Sequence, residues 1–352
     1  MTPENKYIEL LVQMLAIPSL SRREDTRAGF LKSWFKSAGL KVKMINNNII
    51  LSQSRSLKNV KVILNSHIDT VAPGEGWDSD PYLPVKGPER IIGLGSNDAG
   101  ASVVSLAGAY FNLLEKNLAD DVALVLSAEE EVSGKDGITS VLPEFQGLRF
   151  AVVGEPTGMQ PAVAERGLMV LDGTAKGVAG HAARGEGVNA IYKAISDIER
   201  IKDIRFEEHS RWLNDPSVNV TMIEAGTGHN VVPAKCTFVV DVRSNDVYSN
   251  ERLYEIIKVQ CSSEIKPRSM RLRSSSIPEK HPLYDVLKKM DLKPFGSPTL
   301  SDMALISIPS VKIGPGDSAR SHTANEYIFI HEIEEAITIY TKLIPEILKL
   351  KL

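Results

Sequence analysis

The chain has 352 residues, 43% of them hydrophobic and 24% charged, with a formal net charge of −3 at pH 7. This length exceeds what one compact core commonly organises, so two domains are expected. The slightly acidic balance lacks the basic footprint of nucleic-acid-binding proteins, and we expect no nucleic-acid partner. The two cysteines, Cys236 and Cys261, are too few for a disulfide framework.

Neither export nor membrane insertion is indicated. Residues 1–6 lack the basic region of a signal peptide, and residues 7–17 show an amphipathic helical pattern instead. No apolar run approaches the ~18 residues that a membrane-spanning helix needs. We therefore expect a cytoplasmic protein without a membrane partner.

The first part of the chain alternates helical and strand patterns. Helices are predicted over residues 7–15, 26–38 and 101–115, and short apolar strands over residues 41–44, 60–64, 122–126 and 150–153. Such alternation predicts an α/β layer. The last three strand runs are mostly aliphatic, as in strands buried on both faces, and functional groups gather at the carboxyl ends of such strands.

Five segments place a carboxylate or an imidazole beside a turn, and several follow those strands directly. They are residues 67–71, 95–98, 129–131, 154–157 and 321–322. Two divalent ions ~3.5–4 Å apart need a bridging carboxylate, terminal His and carboxylate ligands and a nearby base, and the segments supply that set. His67 and Asp69 fit an imidazole whose second nitrogen is oriented by a carboxylate. The pattern predicts a hydrolytic two-metal site.

The pattern changes between residues 166 and 273. Strands are predicted over residues 168–175, 218–224 and 236–243, helices over 189–201 and 251–261, and a short last strand near 270–272. This β-α-β-β-α-β order is that of a ferredoxin-like sandwich. Because no metal segment lies within it, we predict an inserted domain over residues 166–275, between catalytic parts 1–165 and 276–352.

Taken in order, these motifs resemble the M20 metallopeptidase family, which includes acetylornithine deacetylases, succinyl-diaminopimelate desuccinylases, carboxypeptidases and dipeptidases. The family's His-x-Asp-x-Val-x-Pro stands here at residues 67–73, and its paired glutamates follow Ser127. The resemblance implies an α/β metallopeptidase-type catalytic domain, a mixed sheet flanked by helices. It also implies an inserted ferredoxin-like α+β domain that serves as lid and dimerisation domain.

The resemblance also implies a ligand set for two divalent metal ions, with Asp98 shared between them. One ion would take His67, Asp98 and Glu155, and the other would take Asp98, Glu131 and His322. Zinc is the metal expected from the resemblance, while cobalt or manganese also suit a carboxylate-rich set.

The general base is implied to be Glu130, with Asp69 as a further catalytic residue. Aligning Ser127 with the first position of the glutamate motif places Glu129 on its Asp, Glu130 on the base and Glu131 on the ligand. Three consecutive glutamates leave a second register open, in which Glu129 is the base. Many relatives carry x-Lys-Gly after the shared aspartate. Here the residues are Ala99–Gly100–Ala101, so the lysine and its positive charge near the site are absent.

Three residues of the inserted domain match family motifs. His181 would stabilise the oxyanion in the active site of a partner subunit, which implies a homodimer. Arg243 would contact a substrate carboxylate, and Asn230 a substrate carboxylate or carbonyl; the alternatives are a turn asparagine and an edge-strand arginine. Asp302 is predicted to be an ordinary helix N-cap.

We therefore expect an amidohydrolase that removes an acyl group from an N-acyl amino acid, similar to acetylornithine or acetylcitrulline deacetylases of arginine biosynthesis. The alternative within the family is a dipeptidase or carboxypeptidase. A non-catalytic protein is disfavoured because every ligand position is occupied. A mononuclear zinc protease is disfavoured because there is no His-Glu-x-x-His helix.

Overall fold

The computed structural model describes residues 5–350. Residues 1–4 and 351–352 lie outside the described range, and so does most of segment 1–6, for which no signal peptide was expected. The helices of the described range are α1 (Asn5–Leu15), α2 (Asp25–Ser37), α3 (Ala101–Glu115), α4 (Ile138–Val141), α5 (Ala190–Lys202), α6 (Asn250–Gln260), α7 (Leu283–Lys289) and α8 (Ile330–Leu348). None of these helices is both long and apolar enough to cross a membrane.

The strands of the described residues are short. They are β1 (Val42–Ile45), β2 (Asn48–Ser52), β3 (Val62–His67), β4 (Val85–Lys86), β5 (Arg90–Ile92), β6 (Val122–Ser127), β7 (Phe150–Val153), β8 (Ala162–Glu165), β9 (Met169–Lys176), β10 (Gly180–His181), β11 (Ser217–Ala225), β12 (Val231–Val232), β13 (Lys235–Arg243), β14 (Glu264–Pro267), β15 (Ser275–Ser276), β16 (Phe295–Ser297), β17 (Ser310–Lys312) and β18 (Tyr327–Phe329).

The chain forms two compact units. Unit 1 comprises Met1–Val163, Ile277–Phe295 and Ser301–Leu352, and unit 2 comprises Ala164–Ser276 and Gly296–Leu300. Most of unit 2 is thus one continuous stretch between two parts of unit 1.

Unit 1 is built on a mixed sheet in which six strands follow the order β1-β2-β6-β3-β7-β17. Strands β6, β3, β7 and β17 are parallel, whereas β2 runs antiparallel to β6. Every residue of β3, β6 and β7 is buried, as their aliphatic sequences predict. Helix α3 packs against α8, and Gly108 permits the contact because a Cβ there would lie 2.9 Å from Ile337 Cγ1.

Unit 2 has an antiparallel sheet in the order β11-β13-β9-β14, with α5 and α6 in its core cluster. Its chain order, β9-α5-β11-β13-α6-β14, is the β-α-β-β-α-β order of a ferredoxin-like sandwich. Phe238 of β13 lies over Gly173 of β9, where a Cβ would be 2.3 Å from the ring. The small residue is what allows the aromatic side chain to fill the space.

One expectation for unit 2 was wrong. The last strand is Glu264–Pro267 rather than residues 270–272, and Leu272 makes only an isolated bridge to Leu168. Ile265 is buried between exposed charged neighbours, so a single apolar residue marks this edge strand. The alternative for Arg243, an edge-strand arginine, does not hold either, because β13 lies between β11 and β9.

Candidate metal centre

Asp98 lies between two histidines of unit 1. Its Oδ1 is 3.1 Å from His67 Nε2, and its Oδ2 is 3.5 Å from His322 Nε2. Glu155 Oε1 lies 3.8 Å from His67 Nε2, and Glu131 Oε2 lies 3.1 Å from His322 Nε2. The fold therefore brings together the five side chains that were predicted as metal ligands, with one oxygen of Asp98 facing each histidine.

Sheet topology explains why side chains distant in sequence meet here. Parallel strands β3 and β6 pair His67 with Ser127, so the glutamate turn that follows Ser127 begins beside the histidine. Glu155 comes two residues after β7, the other neighbour of β3. Asp98 lies in the irregular turn before α3, and His322 follows the short helical turn Ser318–Arg320. The carboxyl edge of the sheet thus collects groups from several elements.

Asp69 holds both the first histidine and the glutamate turn. His67 Nδ1 donates to the backbone carbonyl of Asp69 at 2.9 Å, while the Asp69 carboxylate is 3.5 Å away. The nearest orienting group is therefore the carbonyl, not the carboxylate that was expected. The carboxylate accepts instead from the amides of Glu130 at 3.1 Å and Glu131 at 3.2 Å, and from Ser21 Oγ at 2.7 Å. A proton on Nδ1 leaves Nε2 as the ligating nitrogen.

The three consecutive glutamates face different surroundings. Glu129 has a φ of +55°, and its side chain accepts from the Asp136 amide at 3.4 Å within its own loop. It also packs against Gly134, where a Cβ would lie 1.7 Å from Glu129 Oε2. Glu130, by contrast, groups with His67 and Glu155, with donor atoms of all three within 4.8 Å of one another. Only the second and third glutamates are therefore grouped with the clustered side chains.

Carboxylates outnumber cationic groups in this cluster, and the pKa values reflect it. Burial raises the pKa of Glu155 to about 8, partly offset by His67 and reinforced by Asp98. Burial also raises the pKa of Glu130 well above its ordinary value, again against the effect of His67. Burial alone would lower the pKa of His67, but the neighbouring carboxylates of Asp69 and Asp98 raise it overall. Such a site is short of positive charge.

The residues present fit divalent cations. Among the described residues, Glu155 Oε1 is a buried oxygen without a hydrogen-bond partner. A second group of donor atoms within 4.8 Å joins His67, Asp98 and Glu131. Imidazole nitrogens combined with carboxylate oxygens suit zinc, cobalt or manganese. An added cation would supply the missing partner and offset the surplus of carboxylates.

Asp302 was predicted to be a helix cap, and this was wrong. Ser301 is the N-cap residue, with its Oγ accepting from the Met303 amide at 3.3 Å. Asp302 is buried and accepts from Ser127 Oγ at 2.7 Å, and burial raises its pKa to about 6. It belongs to the polar surroundings of Glu130, whose pKa it helps to raise.

A buried arginine supports the other side of the site. Arg27 of α2 donates to the carbonyls of Ile17 and Ile68 at 2.7 and 2.9 Å, and so holds the segment between His67 and Asp69. Burial lowers the pKa of its guanidinium to about 10. Its position within an amphipathic helix carried no signal of this role, because a charged residue there is ordinarily solvated.

The other predicted residues lie in unit 2. His181 pairs with Val231 in the two-stranded ribbon of β10 and β12, is exposed, and accepts from the Ala183 amide at 3.2 Å. Asn230 directly precedes β12, and its carbonyl accepts from the Ala182 amide at 3.0 Å, next to the ribbon. Arg243 ends β13 and donates to both carboxylate oxygens of Asp241, at 2.8 and 3.1 Å.

Fold and site together define an α/β protein with a carboxylate-rich cluster that could hold metal ions. The model of peptidase family M20/M25/M40 matches residues 63–346. Because this match spans most of the chain, the protein belongs to that metal-dependent family. It is accordingly a hydrolase that acts on amide bonds.

Relatives and solved structures agree with this assignment. A succinyl-diaminopimelate desuccinylase from Wolbachia pipientis is 23% identical over 369 aligned residues, 96% of this chain and 92% of that protein. A LysW-lysine/LysW-ornithine hydrolase from Saccharolobus solfataricus is 27% identical, covering 98% of this chain and 96% of the relative.

The fold is shared with structures of lower identity. A tripeptidase from Staphylococcus aureus superposes with a TM-score of 0.77 at 21% identity, covering 99% of both chains. A dinuclear metal-binding M20 peptidase from Bacillus subtilis superposes with a TM-score of 0.73 at 15% identity, also covering 99% of both. The predicted α/β metallopeptidase fold class is thereby confirmed.

Proposed function

We propose that the protein is a dinuclear metal-dependent amidohydrolase that removes an acyl group from an N-acyl amino acid, in the manner of acetylornithine or acetylcitrulline deacetylases. The observation that carries this proposal is the position of Asp98, whose two oxygens face His67 and His322 separately. One ion would be held by His67, Asp98 and Glu155. The other would be held by Asp98, Glu131 and His322, and zinc is the metal we expect.

The ions, when bound, polarise the scissile carbonyl and acidify the attacking water. The chain's own residues then handle the protons. Glu130 takes a proton from the water as oxygen attacks the amide carbon, and delivers it to the departing nitrogen as the carbon–nitrogen bond breaks. The products are a free carboxylic acid and an amine. Asp69 keeps His67 and the Glu130 amide in place throughout.

The unit 2 residues would serve the oxyanion and the substrate. We assign to His181 a hydrogen bond to the oxyanion, donated into the site of the partner subunit, as family membership suggests. Asn230 and Arg243 are assigned to a substrate carboxylate, which an arginine can bind through two nitrogens. Arg243 would exchange or share its present partner, Asp241, to do so.

Homodimerisation through unit 2 is part of the proposal. Strand β11 is at the edge of its sheet and exposes Met222 and Ile223, and α5 exposes Tyr192 and Ile195. An exposed edge strand flanked by apolar side chains is a typical pairing surface. The expected cytoplasmic location stays a prediction.

The relatives named above support an acylated amino acid as substrate, because they are named for succinyl-diaminopimelate and for LysW-linked lysine and ornithine. The alternative is a dipeptidase or carboxypeptidase of the same family. Both share the metal centre, so the substrate decides between them.

The test is amine release by the purified protein loaded with zinc or cobalt. The panel contains N-acetyl and N-succinyl derivatives of ornithine, citrulline, lysine and diaminopimelate, together with simple dipeptides, and Glu130→Ala is the control. Turnover of an acylated set that the control lacks would support the deacylase. Turnover of dipeptides alone would replace it with the peptidase.

A further inference from the structure

Glu326 is a buried carboxylate with an unusual number of backbone partners. It is 2% exposed, and its two oxygens accept from three amides of one turn. Oε1 accepts from Asn97 and from Asp98, both at 2.8 Å, and Oε2 accepts from Gly95 at 2.9 Å. Gly95 has a φ of +79°, which lets successive amides of this turn point to the same side.

These hydrogen bonds join two segments that carry proposed ligands. The turn that Glu326 caps contains Asp98, and Glu326 itself follows His322 by four residues. Asn97 makes a second connection: its Nδ2 donates to the Asp317 carbonyl at 3.0 Å and its Oδ1 accepts from the Asp317 amide at 3.0 Å. The turn with Asp98 and the segment before His322 are thus fastened at two points.

Glu326 is not placed to be a ligand or a base itself. Its oxygens are engaged by three amide donors, and a carboxylate has only about four lone-pair positions in all. Removing it would leave three amides without this acceptor, two of them in buried hydrogen bonds, which is costly enough to rearrange a short turn. The side chain most affected would be Asp98, whose own amide is one of the three.

We propose that Glu326 is a positioning residue that sets the orientation of Asp98 relative to His67 and His322, and so determines how tightly the two ions are bound together. The inference rests on the proposed function, because it requires Asp98 to be the shared ligand. Residues that orient metal ligands typically contribute ~10–100-fold to metal affinity.

The test measures zinc affinity by competition with a chromophoric chelator, and the visible absorption of the cobalt-loaded protein, for Glu326→Ala and Glu326→Gln. Glu326→Ala is expected to lower affinity by ~10–100-fold and to alter the cobalt bands. In Glu326→Gln the remaining side-chain oxygen can still accept from the Asn97 and Asp98 amides, but the new NH2 group cannot accept from the Gly95 amide. We therefore expect a smaller loss of zinc affinity than in Glu326→Ala.

Asp197→Ala is the matched control. Asp197 is also fully buried and also accepts from two backbone amides, those of Ser262 at 2.9 Å and Ser263 at 2.8 Å, but it lies in unit 2. We expect this variant to lose thermal stability while zinc affinity and the cobalt bands stay at wild-type values. It separates the general cost of removing a buried carboxylate from an effect on the metal centre.

Wild-type affinity and cobalt bands in Glu326→Ala would overturn the inference. If that variant does not fold, Glu326→Gln decides, and unchanged affinity and bands there would overturn it equally. The variant Asp98→Asn distinguishes a wrong positioning role for Glu326 from a wrong set of metal ligands. If Asp98→Asn also binds zinc as the wild type does, the proposed ligand set is wrong; if only the Glu326 variants do, the positioning role alone is wrong.

Discussion

The two units hold their candidate functional side chains in opposite ways. In unit 1, His67 and Asp98 are largely buried, and the turns that carry Glu131 and Asp98 are fixed by the carboxylates of Asp69 and Glu326; His322 is the exposed member of the set. In unit 2, His181 is exposed on a two-stranded ribbon, and Arg243 is paired with its near neighbour Asp241. Most of the first set is preorganised, whereas the second has room to respond to a ligand or to a second subunit.

This contrast predicts different consequences of substitution. Side chains that are already positioned around the reacting atoms should be essential for turnover. Side chains that adapt on binding should be less essential: their loss should weaken substrate binding or, where they contact only the transition state, lower kcat by a smaller factor. The following variants are ordered from the largest expected effect to the smallest.

Glu130→Ala should cause the largest loss. Removing the proton carrier is expected to lower kcat by ~10²–10⁴-fold while the protein still binds two ions, because Glu130 is not among the proposed ligands. Steady-state kinetics with the substrate identified by the panel, together with metal analysis by mass spectrometry, measure both quantities.

Glu129→Ala is its matched control, one residue away in the same turn. Glu129 bonds within its own loop to the Asp136 amide, so its removal should leave kcat within a few-fold of wild type and lower stability modestly. If Glu129→Ala loses turnover while Glu130→Ala keeps it, the register of the glutamate motif is wrong and the base is Glu129.

His181→Ala tests the unit 2 side of the comparison. Loss of one oxyanion donor is expected to lower kcat by ~10²–10³-fold with little change in KM, since the interaction forms only in the transition state. A comparable rise in KM with unchanged kcat would assign His181 to substrate binding instead.

The same variant also tests whether His181 acts across a dimer. Mixing His181→Ala with Glu130→Ala subunits should restore activity, because each mixed dimer then has one site with both residues. Subunit exchange is followed separately with differently labelled chains. Demonstrated exchange without restored activity would rule out action in the partner's site.

Among the variants at proposed functional residues, Arg243→Met should have the smallest effect, mainly on KM. Loss of a charge-assisted hydrogen bond, worth ~1.5–3 kcal/mol, corresponds to a KM increase of roughly 10–150-fold. Asp241→Asn is the control, since it frees Arg243 from its ion pair without removing it. An unchanged KM in Arg243→Met would contradict a substrate-binding role and would leave Arg243 only its structural ion pair with Asp241.

Much of the fold follows from local pattern. Helix α3 has the predicted bounds, and β7 coincides with the predicted run of residues 150–153. These elements are long or wholly apolar, so burial and periodicity agree in the sequence. The strand Glu264–Pro267 was missed because it has one buried apolar residue among charged ones. Edge strands of this kind are specified by their neighbours more than by their own composition.

The sequence by itself determined which chemical groups stand at strand ends, and therefore that imidazoles and carboxylates would meet. Only the tertiary structure decided what holds them. Glu326, Asp302 and Arg27 are charged residues, and charged residues in a sequence are ordinarily solvated. Their burial results from contacts with segments far away in the chain, such as the 228 positions between Glu326 and Asp98. Which of three equivalent glutamates faces the cluster was likewise decided by backbone geometry, since their side chains are chemically identical.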